Sequence, residues 1–407
     1  MGFIKVFVYL IITIFVGFPI GSVNISVDTS PTSIIDNQEE ILPLNNQEVH
    51  RLDSLLQRRL KRNGFRGTAL VAYKNQVLMQ YANGYADYRS KEKIKVESTF
   101  QLASVSKSFT ATSIMILKEK GLLDFDDLAQ KHIPEFPYDN ISIKHLLQHT
   151  SGLQNYMYLV DNYWKNDSVI SNEDVLDLLV EYNLPLNNKP GKRFLYSNTG
   201  YAMLALLVER VADISFAEFV DQQIFKPANM SRSFTFDYQI LDTISDRVVG
   251  YNRRGRRLFR YNYEPNDMIL GDKSVFSNVN DLFRYQKALN SYSIVKESTL
   301  EEAYTKGITS SRYKRSFNYG YGWRLKEENG HDLVYHNGLW HGFSSTLTRD
   351  RSSDVTVILL NNTTGSISSI KMDLLNIAIK ELKALETPIK TASNLNSTEK
   401  NSHPPKG

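Results

Sequence analysis

The chain has 407 residues, enough for one large domain or two smaller ones, and 42% of them are hydrophobic, as in an ordinary folded protein. The formal net charge of +4 is too small to predict binding to nucleic acid. The sequence has no cysteine, which excludes disulfides, thiolate chemistry, cysteine-ligated metals and a lipoprotein anchor.

The N-terminus has the pattern of a signal peptide over residues 1–22. One basic residue, Lys5, precedes an apolar run over 6–16, and Pro19 follows the run. A run of about 11 residues suits the core of a signal peptide, whereas a membrane span needs about 20. We therefore expect a periplasmic or secreted bacterial protein. The alternative is a retained inner-membrane anchor, because the apolar stretch can be extended to Ile20.

The next part of the chain predicts a linker, a helix, a hairpin and a second helix. Residues 23–46 are polar and irregular, which is typical of a linker. Leucines at helical spacing predict a helix over 47–63, and two β-rich runs within 67–87 predict a hairpin. An apolar period over 104–120 predicts a helix that Gly121 ends.

The middle of the chain is mostly helical in pattern. Residues 122–230 predict helices that a loop over 182–194 interrupts, and 234–270 hold short runs and turns. The segment NVNDLFRYQKALN then predicts a helix with Asn278 or Asn280 as its cap.

The end of the chain predicts strands followed by a helix. The strand-like runs are YGYGWRL (319–325), DLVYHNG (332–338), FSSTLTRD (343–350) and DVTVILLNN (354–362). A last helix over 367–385 precedes a polar segment, 387–407, that we expect to be disordered. The simplest assembly is an α/β (α+β) domain over 47–386. It has one antiparallel sheet built from both chain ends, flanked by helices, with a mainly helical insertion.

Ser104 and Lys107 lie three positions apart in the stretch SVSK. In a helix that begins near Ser104, these positions share one face, with Cβ atoms about 5 to 6 Å apart. A neutral lysine there could accept the serine proton, provided that burial or a nearby cation favours the neutral amine. N–H groups at the helix start could stabilise an oxyanion. Alone, however, so short a motif favours a capping Ser104 and a solvated Lys107.

Tyr196 and Asn198 follow the predicted loop and precede an apolar helix. A phenol held near cations could act as general acid or base, and the Asn198 amide could orient Lys107 or a substrate. The alternative is that Tyr196 belongs to the core and that Asn198 or Ser197 caps the helix.

His336, Gly338 and Leu339 belong to a predicted strand end. His336 could supply a hydrogen-bond donor, and Gly338 would let a ligand backbone approach closely. The N–H of Leu339 could be a second oxyanion donor. The alternative is an ordinary turn between two strands.

Together the three motifs resemble the serine β-lactamase and DD-peptidase superfamily, specifically its class C-like serine hydrolases. That superfamily carries S-x-x-K, then tyrosine or serine followed by x-N, then K-T-G or H-x-G. Here these are Ser104–Lys107, Tyr196–Asn198 and His336–Gly338. Further resemblance lies in HLLQHTSGL (145–153), GDKSVFSNVNDLFRY (271–285) and YGYGWRL, and covers nearly all of the predicted domain.

The resemblance implies a β-lactamase/DD-peptidase-like fold and an acyl-enzyme mechanism without a cofactor or metal. Ser104 would attack a carbonyl, and the N–H groups of Ser104 and Leu339 would hold the oxyanion. Lys107 and Tyr196 would transfer the proton, and water would then release the acyl group.

One departure from the family bears on the substrate. Class C β-lactamases usually have lysine in the third motif, where this chain has His336. Lysine presents a fixed cation to a β-lactam carboxylate, whereas histidine is at best half charged near neutral pH. A histidine in the third motif resembles the pattern of certain D-alanyl-D-alanine carboxypeptidases, D-aminopeptidases and esterase-like members of the superfamily. Trp340 and His341 add bulk that would narrow the pocket.

We therefore expect a small D-amino-acid peptide, amide or ester as substrate, of cell-wall origin, and no nucleic-acid partner. One alternative is a class C-like β-lactamase. A second is a penicillin-binding sensor or scaffold that keeps the fold but does not hydrolyse. A membrane tether is expected only if the N-terminal segment is retained.

Two other patterns favour structural roles. His145 and His149 have the i, i+4 spacing of a zinc helix, but no glutamate stands beside the first histidine, so we expect scaffold near the site. The five arginines over 253–260 could dock an anionic envelope polymer, but a solvated hairpin turn is the simpler interpretation.

Overall fold

A computed structural model describes residues 44–398, with gaps at 166–167, 242, 256, 308–317 and 366, and gives the backbone alone at 240 and 386–398. The predicted signal peptide and nearly all of the predicted linker lie outside the described residues, as does 399–407. No helix of the described part is both long and apolar enough to cross a bilayer.

The helices follow the predicted order closely. They are α1 (Asn46–Arg62), α2 (Ser106–Glu119), α3 (Ile143–Leu147), α4 (Tyr156–Tyr163), α5 (Asn172–Tyr182), α6 (Asn198–Ala212), α7 (Phe216–Val220), α8 (Tyr238–Leu241), α9 (Val279–Asn290), α10 (Glu297–Ala303) and α11 (Ser368–Thr398). The side chain of Asn278 caps α9 by accepting from the N–H of Asp281 at 2.9 Å, so it is Asn278 and not Asn280 that begins this helix.

The strands confirm both the hairpin and the C-terminal meander. They are β1 (Gly67–Tyr73), β2 (Gln76–Asn83), β3 (Tyr85–Asp87), β4 (Glu92–Lys93), β5 (Phe100–Gln101), β6 (Phe234–Thr235), β7 (Tyr251–Arg254), β8 (Arg257–Arg260), β9 (Val275–Ser277), β10 (Asn318–Tyr319), β11 (Arg324–Glu328), β12 (His331–Trp340), β13 (Phe343–Asp350) and β14 (Val355–Asn361).

The main sheet joins the two ends of the chain, as predicted. In the described residues it has seven strands in the order β10-β11-β12-β13-β14-β1-β2, all antiparallel. Strand β1 lies between β2 and β14, with Val71 opposite Val357. The helices α3 to α7 come from the segment between the two ends, and they form the mainly helical part on one face of the sheet.

Alternate residues of the central strands pack into two hydrophobic cores, one on each face of the sheet. Val71 and Leu359 face α1 and α11, where Leu56 and Leu374 are fully buried. Leu70 and Leu360 face the opposite side and join the larger core with α2 and α6. Burial on both faces explains why β1 and β14 are almost continuously apolar, rather than alternating.

Helix α11 is longer than the sequence predicts. It continues to Thr398, whereas the apolar pattern predicts an end at 385 and a disordered segment from Thr387. The apolar pattern ends at 385, although the described backbone stays helical beyond it. The expected disorder of 387–407 stays a prediction.

The arginine-rich segment forms the two-stranded hairpin β7–β8. Arg253, Arg254 and Arg257 are exposed, and Arg260 lies 3.7 Å from the Asp87 carboxylate. The described part of this hairpin agrees with the solvated turn that the sequence predicts, whereas docking to an anionic polymer is untested.

The packing of α11 generates a stability prediction. Replacing Leu374 with alanine should lower the free energy of unfolding by about 2 to 5 kcal/mol, because this leucine has no exposed surface. Urea unfolding measures the change. Leu122→Ala is the control, since Leu122 is 49% exposed and should cost well under 1 kcal/mol. Similar losses in both variants would show that α11 does not pack on the sheet as described.

Candidate active site

A strained turn carries Ser104. Ala103 has a φ of +49°, and a 3-10 turn over Ala103–Val105 leads into α2. The N-cap of α2 is Val105 and makes no side-chain cap, so Ser104 does not cap this helix. The capping alternative for Ser104 is therefore wrong. A positive φ at a buried alanine is strained, and surrounding packing must hold the turn in place.

Lys107 is buried rather than solvated. Its side chain has no exposed surface. Its Nζ lies 3.3 Å from Ser104 Oγ and donates to the backbone oxygen of Asp272 at 2.8 Å. The predicted i, i+3 pairing of serine and lysine is therefore present, and the second bond fixes the amine between two chain segments that are distant in sequence.

Gly338 makes room for the turn that carries Ser104. A Cβ at this position would lie 2.2 Å from the backbone oxygen of Leu102 and 2.3 Å from Ser345 Oγ. Ser345 in turn donates to the same Leu102 oxygen at 2.5 Å. The close approach that the sequence predicts for Gly338 is therefore made by the chain's own backbone. Its function is to seat Ser104 against strand β12.

His149 forms hydrogen bonds with the backbone on both sides of Tyr196. The His149 backbone oxygen accepts from the N–H of Leu195 at 2.8 Å, and its Nδ1 accepts from the N–H of Ser197 at 3.1 Å. The two rings are 4.1 Å apart. The half-buried Tyr196 ring also lies 5.0 Å from Lys107 Nζ. His149 thus holds the backbone on both sides of the tyrosine, which makes it scaffold beside the site, as the sequence predicts.

The other histidine of the zinc-like pair serves a helix start. Its Nδ1 accepts from the N–H of Ser142, which closes a capping box at α3. His145 and His149 therefore have separate structural roles.

His336 is a buried neutral residue. Its Nδ1 lies 2.8 Å from the carbonyl oxygen of Asn337, which can only accept, so the proton is on Nδ1. Its Nε2 then accepts from the hydroxyl of Tyr319 at 3.0 Å. Burial, with the charges of Arg324 and Lys107, holds the pKa of His336 well below its usual range. The expectation that His336 offers a donor to a ligand is therefore wrong, because both ring nitrogens are used internally.

The same environment keeps His149 neutral. Burial and the charge of Lys107 hold its pKa well below the usual range for histidine. Arg324 adds to this effect from β11, where its guanidinium lies 5.4 Å from the centre of the Tyr196 ring. The permanent positive charge beside these histidines thus belongs to Arg324.

The remaining predicted residues surround this centre. Asn198 begins α6, and its Oδ1 is buried without a hydrogen-bond partner in the described structure. Leu339 is 65% exposed near the end of β12. Trp340 donates to Asp267 at 2.8 Å, and His341 Nε2 lies 3.6 Å from the same carboxylate. These two side chains are thus anchored to Asp267, and their narrowing of a pocket stays a prediction.

Sequence reasoning missed a buried cluster of Tyr156, Asp272 and Lys273. Lys273 Nζ donates to the Tyr156 hydroxyl at 2.7 Å, and that hydroxyl donates to Asp272 Oδ2 at 3.0 Å. The available signal was an acidic and a basic residue between the apolar runs MIL and VF. An adjacent Asp–Lys pair is usually a solvated turn, which is why it did not stand out.

The neutral histidines predict a pH dependence of stability. Below about pH 6.5 the unfolded chain takes up protons at His149 and His336 that the folded chain does not. The free energy of unfolding therefore decreases as the pH is lowered. Each histidine contributes up to about 1.4 kcal/mol per pH unit. Urea unfolding at several pH values gives the slope of the unfolding free energy against pH. This slope should be shallower in His149→Asn and in His336→Gln than in the wild type. The exposed His50→Asn should keep the original slope, and equal slopes throughout would contradict the assignment.

Gly338 predicts a loss of reactivity without unfolding. Gly338→Ala should displace the Ser104 turn and slow acylation by an activated ester on the order of a hundredfold. The rate of ester release, with circular dichroism as a check on folding, measures this. Gly365→Ala is the matched control, because no atom lies within 4 Å of its added Cβ. An unchanged rate in Gly338→Ala would show that the turn does not depend on this contact.

Comparison with known proteins agrees with the resemblance found in the motifs. The family model for Beta-lactamase matches residues 52–381. Penicillin-binding protein 4* of Bacillus subtilis (strain 168) is 33% identical over 329 residues, which cover 78% of this chain and 72% of that protein.

Two solved structures support the same fold. The penicillin binding protein from Bacillus halodurans has a TM-score of 0.72 at 25% identity, covering 79% of this chain and 98% of that one. The octameric penicillin-binding protein homologue from Pyrococcus abyssi has a TM-score of 0.71 at 26% identity, covering 82% of this chain and 77% of that one. The chain therefore belongs to the Beta-lactamase family of serine hydrolases.

Proposed function

We propose that the protein hydrolyses a D-amino-acid peptide, or a related amide or ester, through an acyl-enzyme on Ser104. The observation that carries the proposal is the position of Lys107, whose buried Nζ lies 3.3 Å from Ser104 Oγ. A hydroxyl becomes a competent nucleophile when a base within hydrogen-bond reach removes its proton.

Acylation uses this pair directly. Ser104 Oγ attacks the substrate carbonyl carbon, and its proton passes to Nζ of Lys107. The N–H groups of Ser104 and Leu339 stabilise the negative oxygen that forms. The bond to the leaving group then breaks, and Tyr196, beside Lys107, delivers a proton to the leaving amine or alkoxide.

Deacylation reverses the roles. A water molecule attacks the ester carbonyl, and Tyr196 with Lys107 accepts its proton. The bond to Ser104 Oγ breaks, the serine regains its proton, and the acid product leaves. The hydrogen bonds of His149 on both sides of Tyr196, and the burial of Lys107, keep both groups in position for the two half-reactions.

The charge distribution favours a substrate with a free carboxylate beside the scissile bond. The third motif contributes no cation, since His336 is neutral and both of its ring nitrogens are occupied. The half-buried Arg324 on β11 supplies a permanent positive charge beside Tyr196. Arg324 could pair with the carboxylate of either a peptide or a β-lactam, so the preference for a carboxypeptidase-like activity is supported by the 33% identity to a penicillin-binding protein.

The proposal includes a location outside the cytoplasm. It is supported by the signal-peptide pattern over 1–22. Retention of that segment would tether the enzyme to the inner membrane. A cell-wall-derived peptide would then be within reach of the site.

Mass spectrometry tests the nucleophile and the substrate class together. The protein is mixed separately with a penicillin, an activated ester and an acyl-D-Ala-D-Ala peptide. We expect transient adducts on the peptide that carries Ser104, and turnover of the D-Ala-D-Ala substrate. Ser104→Ala should lower kcat/KM by at least about a thousandfold. The exposed Ser90→Ala should leave it unchanged.

Three outcomes would change the assignment. Full hydrolysis by Ser104→Ala would exclude the proposed mechanism. Rapid turnover of penicillin with none of the peptide would favour the β-lactamase alternative. A permanent adduct that never turns over would favour a penicillin-binding sensor.

A further inference from the structure

The turn that holds Lys107 contains a second buried lysine, which the acyl-transfer steps do not use. Lys273 is 2% exposed, and Lys107 donates to the backbone oxygen of the residue directly before it. Lys273 Nζ reaches the Tyr156 hydroxyl at 2.7 Å, the Ile269 backbone oxygen at 3.3 Å and Asp272 Oδ1 at 3.4 Å. Its amine thus closes a turn over 269–273 and pairs with the acid beside Lys107.

The Asp272 carboxylate creates a problem for a catalytic base. It is 1% exposed, and it belongs to the residue whose carbonyl already holds Lys107 Nζ. A buried negative charge close to an amine favours the protonated form of that amine. An ammonium cannot accept the proton of Ser104. An unopposed Asp272 would therefore hold Lys107 in the inactive state.

We propose that Lys273 is a positioning residue that neutralises Asp272 and so lets Lys107 exist as the free amine. The inference rests on the proposed role of Lys107 as the base for Ser104. Tyr156 completes the arrangement, because it accepts from Lys273 and donates to Asp272. The acid keeps its structural task of fixing the carbonyl that orients Lys107, while its charge is balanced inside the turn.

The other groups around the two lysines do not provide this balance. Lys107 is also faced by Tyr196, which precedes α6, and by Tyr201 of α6. His149 and His336 face it as well, and both are neutral. The groups that face Lys273 are Asp272, Asp267, Tyr156, Trp340, His341 and Lys107.

The Asp267 carboxylate has hydrogen-bond donors of its own. Its carboxylate accepts from Trp340 Nε1 at 2.8 Å and from the N–H of Glu264 at 2.7 Å. Burial lowers the pKa of Lys273, and the Asp272 and Asp267 carboxylates oppose that effect. The ion pair of Asp272 and Lys273 is therefore the local neutral unit next to the catalytic centre.

A charge-balance cycle tests the inference. The readout is the pH dependence of acylation by an activated ester, whose rising limb reports loss of the Lys107 proton. Lys273→Met should shift the rising limb to higher pH by about one unit or more, because the charge of Asp272 is then unopposed. Asp272→Asn should shift the rising limb to lower pH. The double variant Asp272→Asn/Lys273→Met should return close to the wild-type position, since the pair is again neutral.

The controls separate this effect from simple damage to the turn. Lys95→Met breaks a surface ion pair with Asp246 and should leave the limb in place. A purely structural role for Lys273 predicts lower rates at every pH, no displacement of the limb, and a double variant worse than either single one. That result would overturn the inference.

Failure of the proposal and failure of the proposed function are distinguishable. Unchanged activity in Ser104→Ala would refute the function, whereas an unmoved limb in Lys273→Met and Asp272→Asn would refute only the role of Lys273. If Lys273→Met does not fold, Asp272→Asn still decides the matter. That variant preserves the side-chain shape, and an unmoved or raised limb in it contradicts the charge-balance role.

Discussion

The burial of Lys107 is the constraint on which the rest of the site depends. An amine without exposed surface must find its hydrogen-bond partners inside the protein. It finds one in its own turn, at Ser104, and another on a distant turn, at the backbone oxygen of Asp272. The fold must therefore bring these segments to one point. Thr110 strengthens the join, since its hydroxyl donates to the Gly271 oxygen at 2.7 Å.

Much of this architecture is predictable because its signals are local. The leucine spacing gives α1, the apolar runs give the strands, and their place at both chain ends gives one shared sheet. The serine and lysine are also recoverable, because a pair three residues apart is placed by helix geometry alone. Tyr196 and His336 are found only through the joint occurrence of three motifs, since each is ambiguous by itself.

What sequence could not supply is the burial that decides each residue's chemistry. His336 looks like a donor until its two ring nitrogens are found occupied by Asn337 and Tyr319. Gly338 looks like space for a ligand until the Leu102 backbone is found there. Lys273 looks like a solvated turn residue, although it is enclosed by Tyr156 and Asp272. All three depend on contacts between segments far apart in the chain, which no local pattern encodes.

The pairing of β1 with β14 also has a consequence for how the molecule is made. Thr68 lies opposite Leu360, so the centre of the sheet joins residues that are synthesised almost 300 positions apart. The turn that carries Ser104 packs against β12, which is likewise synthesised late. Folding by such distant contacts is slow, because a long loop must close before they stabilise the sheet. A growing chain consequently cannot assemble the turn of Ser104 against β12 until the C-terminal strands have docked.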